Sequence, residues 1–204
     1  MKKLQVGITG GMGCGQSLVA GLLHERYQAP LVSMDEAGRR AAEKWDVKKN
    51  LRQTFGDNFY STDGRLDRQG LGLLIFTDES KRLLLNRIIH PAMLRLVRQE
   101  LAEASRLAGY CRYVLLDGAL IYELDVAKEL DVVVVVSAPE NARIARIMAR
   151  NRFSESEIRR RMASQWPLDD KVERADYLID NAGSIESLSI QVDALHEWLV
   201  RRAG

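Results

Sequence analysis

The chain has 204 residues, 46% of them hydrophobic and 28% charged, which is enough for one core with a small appended region and too short for several domains. Thirty basic against twenty-eight acidic residues leave a formal charge of +2, which excludes a molecule-wide field that recruits nucleic acid or an anionic membrane. Cys14 and Cys111 lie far apart and fit no metal-ligand spacing, and no charged-then-apolar leader precedes Leu4, so a reducing cytoplasm is the expected setting.

Leu4 to Thr9 is a short β-prone run that stops at a glycine cluster, and Ser17 to Tyr27 is apolar at helical spacing through Val19, Leu22 and Leu23. Pro30 to Ser33 reads as a second strand. Asp35 and Glu36 then suit the first turn of a helix running through Arg39, Arg40 and Ala42. From about Val47 to Leu107 strand character disappears. Val47 to Phe55 reads as helix, Asp63-Gly64 as a turn, Asp67 as the cap of a segment ending Leu73-Leu74-Ile75-Phe76, and Asp78 as the start of Glu79 to Ile89. His90-Pro91 interrupts the pattern and Ala92 to Leu107 resumes it, with Leu94, Val97, Leu101 and Leu107 on one face, so two helices are expected to meet at the proline.

Strands return at Tyr113 to Leu116, ending in Asp117-Gly118, at Val132 to Ser137, and at Tyr177 to Ile179. The aliphatic run Val132 to Val136 is far below the roughly 18 to 20 residues that span a bilayer as a helix. Near-continuous aliphatic strands with helices between them predict a parallel sheet of about five strands, covered on both faces. Ser184 caps a last helix, apolar through Leu188, Val192, Leu195 and Leu199. Between Arg143 and Arg161, nineteen residues hold seven arginines and two acids, Glu155 and Glu157. Taken alone, that cluster describes a solvated helix face as well as an anion site.

Gly10-Gly11-Met12-Gly13-Cys14-Gly15-Gln16-Ser17 stands between the first strand and the first helix, where the phosphate-binding loop G-x-x-x-x-G-K-[ST] belongs, and seven of its eight positions fit. Glycines let consecutive N–H groups point into one concavity, and the helix behind them adds partial positive charge. Ser17 suits a nucleotide-bound magnesium ion, and Asp117, an acid ending an apolar strand, suits the same ion directly or through water. Asp35 follows the second strand at the same sheet edge, as a group able to orient or deprotonate an attacking hydroxyl or as a plain helix N-terminal acid.

The run Gly7-Ile8-Thr9-Gly10-Gly11-Met12-Gly13-Cys14-Gly15 resembles the start of dephospho-coenzyme A kinases, and the likeness extends over nearly the whole chain. Asp35 with Arg39, Gly64-Arg65-Leu66-Asp67-Arg68 with Ile75-Phe76, Leu85-Asn86 with His90-Pro91, and Leu120-Ile121-Tyr122-Glu123 fall in that family's order. So do Pro139-Glu140, Arg146, Arg150, Arg161 with Gln165, Ala175-Asp176 and Ile179-Asp180-Asn181. The resemblance implies an α/β P-loop NTPase fold in a single kinase-like domain. Its core would take in about 1–46, 110–142 and 172–204, with a helical coenzyme A region at about 47–109 and a lid at about 143–171.

The implied reaction moves the γ-phosphoryl group of ATP, with Mg2+, to the ribose 3′-hydroxyl of the small molecule dephospho-CoA, with no nucleic acid or membrane partner. Residues 11–18, that is Gly11, Met12, Gly13, Cys14, Gly15, Gln16, Ser17 and Leu18, would hold the nucleotide, with Ser17 and Asp117 at the metal. Asp35 would be the base, Arg146 and Arg150 would approach phosphate oxygens, and Arg39, His90 and Arg161 would lie on the acceptor side. For His90, packing at a helix break is the competing account.

Departures cluster where chemistry is expected: Gln16 for the loop lysine, Leu18 for a hydroxyl residue, Ser33 for the first acid of an Asp-x-Asp pair, and Ala119 for a proline. Gln16 donates a neutral hydrogen bond and brings no charge. A lost charge-assisted contact costs about 1.5 to 3 kcal/mol, and a lost preorganised donor about 10²- to 10³-fold in turnover. Three readings stay open: a working kinase in which a lid arginine, Lys2 or Lys3 replaces the charge; a silent relative that binds nucleotide or coenzyme A; and a kinase for another hydroxyl acceptor.

Overall fold

The computed structural model describes residues 3–61, 63–150 and 153–204. In chain order the described elements are β1 (Leu4–Gly10), α1 (Gln16–Tyr27), β2 (Leu31–Ser33), α2 (Met34–Ala42), α3 (Trp45–Phe55), α4 (Arg68–Thr77) and α5 (Glu79–Leu107). They continue with β3 (Tyr113–Asp117), β4 (Val132–Ser137), α6 (Glu140–Arg150), α7 (Glu155–Ala163), α8 (Leu168–Val172), β5 (Tyr177–Asp180) and α9 (Ile185–Arg202). The chain forms two compact units, one of Met1–Ser33 with Glu100–Gly204 and one of Met34–Gln99.

The first unit holds a five-stranded sheet in the order β2-β3-β1-β4-β5, with every pair parallel. β1 is central: its Ile8 is in register with Asp117 on one side and with Val134 on the other. Parallel strands need crossovers, so all five carboxyl ends reach one edge, and chain order reverses direction across β1. Val6, Ile8, Tyr113, Leu115, Val132, Val134 and Val136 bury one face of this sheet in a cluster with Val19, Ala20 and Leu23 of α1 and Leu188, Val192, Leu195 and Leu199 of α9. The Ser184 hydroxyl accepts from Ser187 N–H and starts α9, as its position predicts.

In the second unit the expected caps form: Asp67 Oδ1 accepts from Gly70 N–H at 2.9 Å and Asp78 Oδ1 from Lys81 N–H at 3.1 Å. The expected break at His90-Pro91 does not occur, because α5 runs unbroken through Pro91. A proline inside a helix costs about 3 kcal/mol or more. Burial of Leu85 before it and of Met93 and Val97 after it offsets that, at roughly 1.5 to 3 kcal/mol for each large apolar side chain. Leu107, expected on the packed face, is 74% exposed because it is the last helical residue. Among the described residues no helix is long and apolar enough to cross a membrane. Lys2 and the side chains of Arg68 and Phe76 lie outside the described residues.

Candidate functional site

β1 ends at Gly10 and the glycine loop follows at the carboxyl edge of the sheet, leading into α1. Gly13 and Gly15 adopt φ of 82° and 92°, in the left-handed region that L side chains rarely enter. Gly15 also has Asn181 packed where a side chain would begin. The loop is pinned internally by Cys14 N–H to the Gly11 carbonyl at 3.0 Å, and Leu18 and Val19 N–H both donate to the Gly15 carbonyl. Such a turn, with a helix N-terminus behind it, is built to receive an anion on backbone N–H groups.

Four side chains from distant parts of the chain close on this loop. Asn181, directly after β5, donates from Nδ2 to the Cys14 carbonyl at 2.8 Å, and its own N–H reaches Ser137 at the end of β4. Gln165 Oε1 accepts from Met12 N–H at 2.9 Å. Arg143, on α6, donates from Nε to the Met12 carbonyl at 2.9 Å and is only 7% exposed. Lys171, on α8, is fully buried: Nζ donates to the Ala119 carbonyl at 2.7 Å and to the Gly10 carbonyl at 3.4 Å, and pairs with Glu123 Oε1 at 2.7 Å. Glu123 Oε1 also accepts from Trp166 N–H at 3.0 Å, so one ion pair joins the loops after β1 and β3 to the segment between α7 and α8.

Burial pushes the Cys14 thiol above its ordinary range, and among the neighbouring charges that pull it back Arg143 acts more strongly than Arg146. A buried ammonium in place of solvent is tolerable only because carbonyls and a carboxylate surround it. Sequence reasoning missed Arg143, except as the first member of a charge cluster, and missed Lys171 altogether. Neither position carries a periodicity or a spacing that marks it, since Arg143 is defined by a contact 131 residues away along the chain and Lys171 by contacts 52 and 161 residues away.

The expected site residues divide between the units. In the first, Asp117 ends β3 half-buried, in register with Ser33 and Ile8, and Ser17 is exposed in the first turn of α1. Leu18 is 45% exposed beside it. These hard oxygen donors match what a small divalent cation takes from protein when phosphate oxygens complete its shell. Arg146 donates from Nη2 to the Asn181 carbonyl at 2.8 Å, and its Nη1 is buried with no hydrogen-bond partner among the described residues. Arg150 is the exposed last residue of α6, and Arg161 stacks over the Phe153 ring at 3.9 Å.

Asp35 and Arg39 lie in the second unit, both exposed on α2, with Asp35 two residues beyond the end of β2. His90 is partly buried in α5, and that burial holds its imidazole below the ordinary histidine value. Lys3 is at the wrong end of β1 to serve the loop. Its Nζ donates to the Gly109 and Cys111 carbonyls, and at about 3.3 Å per strand residue it stands on the order of 20 Å before Gly10.

Comparison with known proteins matches this chain to the dephospho-CoA kinase family model over residues 4–187. A dephospho-CoA kinase of Geobacillus kaustophilus is 37% identical over 199 residues, covering 96% of each chain. A solved protein from Thermus thermophilus is 31% identical with a TM-score of 0.80, over 98% of this chain and 99% of its own. A solved dephospho-CoA kinase from Campylobacter jejuni shares the fold, with a TM-score of 0.65 at 19% identity over 97% of both chains.

Proposed function

The chain belongs to the dephospho-CoA kinase family, and from that premise we propose that it transfers the γ-phosphoryl group of ATP to the ribose 3′-hydroxyl of dephospho-CoA. The observation that carries the reading is the glycine loop at the end of β1, with left-handed Gly13 and Gly15, facing the same sheet edge as Asp117. Backbone N–H groups of residues 11–18, apart from those of Met12, Cys14 and Leu18 that bond to Gln165, Gly11 and Gly15, cradle the ATP phosphates. Ser17 and Asp117 are the oxygen donors for Mg2+, which neutralises phosphate charge when bound with the nucleotide.

Asp35 accepts the proton of the attacking hydroxyl, and Arg39, His90 and Arg161 serve the acceptor side. Arg146 supports the reading through its leftover donor: a buried N–H without a partner costs about 1 to 3 kcal/mol, which a phosphate oxygen would relieve. Arg150, exposed at the end of the same helix, meets the phosphates from solvent. Soluble substrates and the free thiols of Cys14 and Cys111 agree with work in a reducing cytoplasm.

Gln16 favours a second reading, a silent relative that binds nucleotide or coenzyme A without transfer. Mass-detected conversion of dephospho-CoA by the purified protein with MgATP separates the two. The kinase reading expects a product about 80 Da heavier, the mass of one added phosphoryl group, and its loss in Asp35→Asn with MgATP affinity retained. Undiminished turnover in Asp35→Asn rejects Asp35 as the base, and no product from the unaltered protein or from Gln16→Lys rejects this acceptor.

A further inference from the structure

A complete phosphate loop carries a lysine one position before its Ser or Thr, and here that position is the neutral Gln16, the first residue of α1. The loop nevertheless has a cation on it. Arg143 lies across its first turn: besides the bond from Nε to the Met12 carbonyl, its backbone carbonyl and Cβ crowd Gly13, and its guanidinium crowds Gly11. A methyl group at position 11 would stand 2.6 Å from Nη2 and 2.9 Å from the guanidinium carbon, so only glycine admits the arginine there. Arg143 is nearly buried, yet among the described residues neither terminal nitrogen has a hydrogen-bond acceptor.

A guanidinium held by one nitrogen and open at two is a fork without its anion, since Arg is permanently charged and pairs two N–H groups with phosphate oxygens. We infer that Arg143 supplies the positive charge the loop lacks at Gln16, entering from α6 to bind the nucleotide phosphates at Gly11 and Met12. The charge count at the loop is then that of a complete motif, with an arginine delivered from outside the motif in place of a lysine within it. Arg146 and Arg150 are less suited to this part. Arg146 commits Nη2 to the Asn181 carbonyl and keeps one terminal nitrogen open where Arg143 keeps two, and Arg150 is exposed at the far end of α6. Lys171 is enclosed by Glu123 and two carbonyls.

This inference rests on the loop binding ATP and does not depend on which hydroxyl accepts the phosphoryl group. Its test is a double-mutant cycle of Arg143→Gln and Gln16→Lys, read by calorimetric affinity for MgATP and by turnover of dephospho-CoA. Arg143→Gln is expected to cost about 10²-fold or more in turnover with Gln16 present, the scale of one lost preorganised donor, and to weaken MgATP binding. With Lys at position 16 both losses shrink to a few-fold, on the scale of ordinary coupling between neighbours.

Equal losses in the two backgrounds would overturn the inference and leave Arg143 as a brace for the Met12 carbonyl. If Arg143→Gln does not fold, Gln16→Lys alone decides the matter. A gain below about tenfold supports Arg143 as the existing cation, whereas a gain of about 10²- to 10³-fold means the loop had none. Background-dependent MgATP affinity without product from any variant keeps Arg143 in its role and removes dephospho-CoA as the acceptor. Turnover with no such dependence keeps the acceptor and removes Arg143.

Discussion

The packed face of the sheet and its carboxyl edge are made of opposite materials, although β1 runs through both. Under α1 and α9 the buried side chains of the cluster are almost all hydrocarbon, from Val6 and Ile8 through Leu195 and Leu199. Just beyond Ile8 stand the buried polar and charged side chains, Thr9, Arg143, Lys171 and Asn181. The first region gains stability simply by removing apolar area from water, and many residues of similar size serve it. At the edge, charge is taken out of water at a cost and held only by specific partners, so each position there admits few substitutes. A cost accepted in one place, where five strand ends converge, locates function more sharply than the core does.

The strongest way to break this contrast is at Lys171. Lys171→Ala leaves Glu123 buried without its cation, and is expected to cost about 3 to 5 kcal/mol, read as a lowered urea midpoint. Lys171→Met, which fills the volume without the charge, should fare no better unless Glu123 is changed to Gln as well. Full stability of the single Met variant would show that the pair is not what holds the edge.

In the hydrocarbon region Leu195→Ala is expected to lose about 2 to 5 kcal/mol by the cavity it leaves. Turnover per folded molecule should be preserved; a matching fall in turnover would erase the distinction between core and edge. Asn181→Ala sits between these cases. Losing its bond to the Cys14 carbonyl should cost about 1 to 3 kcal/mol, and MgATP affinity should fall with it, because Gly15 loses the side chain packed on it.

The smallest effect is a pH dependence at two tyrosines, Tyr27 packed against the hydrocarbon cluster and Tyr122 bonded to the Arg174 carbonyl. Burial raises Tyr27 and Tyr122 to about 12 from an ordinary value of 10.0, with the bond to Asp193 adding to the shift at Tyr27. The folded state therefore holds these protons more tightly than the unfolded chain does. Their contribution is whole below pH 10 and is lost as pH rises toward about 12. Urea midpoints measured from neutral to strongly alkaline pH should fall across that window, and less steeply in Tyr27→Phe. A flat profile would mean that these hydroxyls stay solvated.

Much of the fold was legible because its signals are local. Five aliphatic runs, a glycine loop with Ser17 behind it, and the capping residues Asp67, Asp78 and Ser184 each act within a few residues of themselves. Pro91 misled because a local rule about backbone bonding met burial of Leu85, Met93 and Val97 on both sides, and burial won. At the site, the sequence announced the loop and the absence of its lysine but misdirected attention to Lys3, which the direction of β1 carries to the opposite end.

By itself, then, the sequence determined that a parallel sheet would carry a phosphate-type loop after its first strand, because aliphatic runs, caps and glycine conformations are properties of neighbouring residues. Only the tertiary structure decided which cations meet that loop. Arg143 reaches Met12 across 131 residues and Lys171 reaches Gly10 across 161, and such meetings are set by strand order and helix packing, which no local pattern encodes.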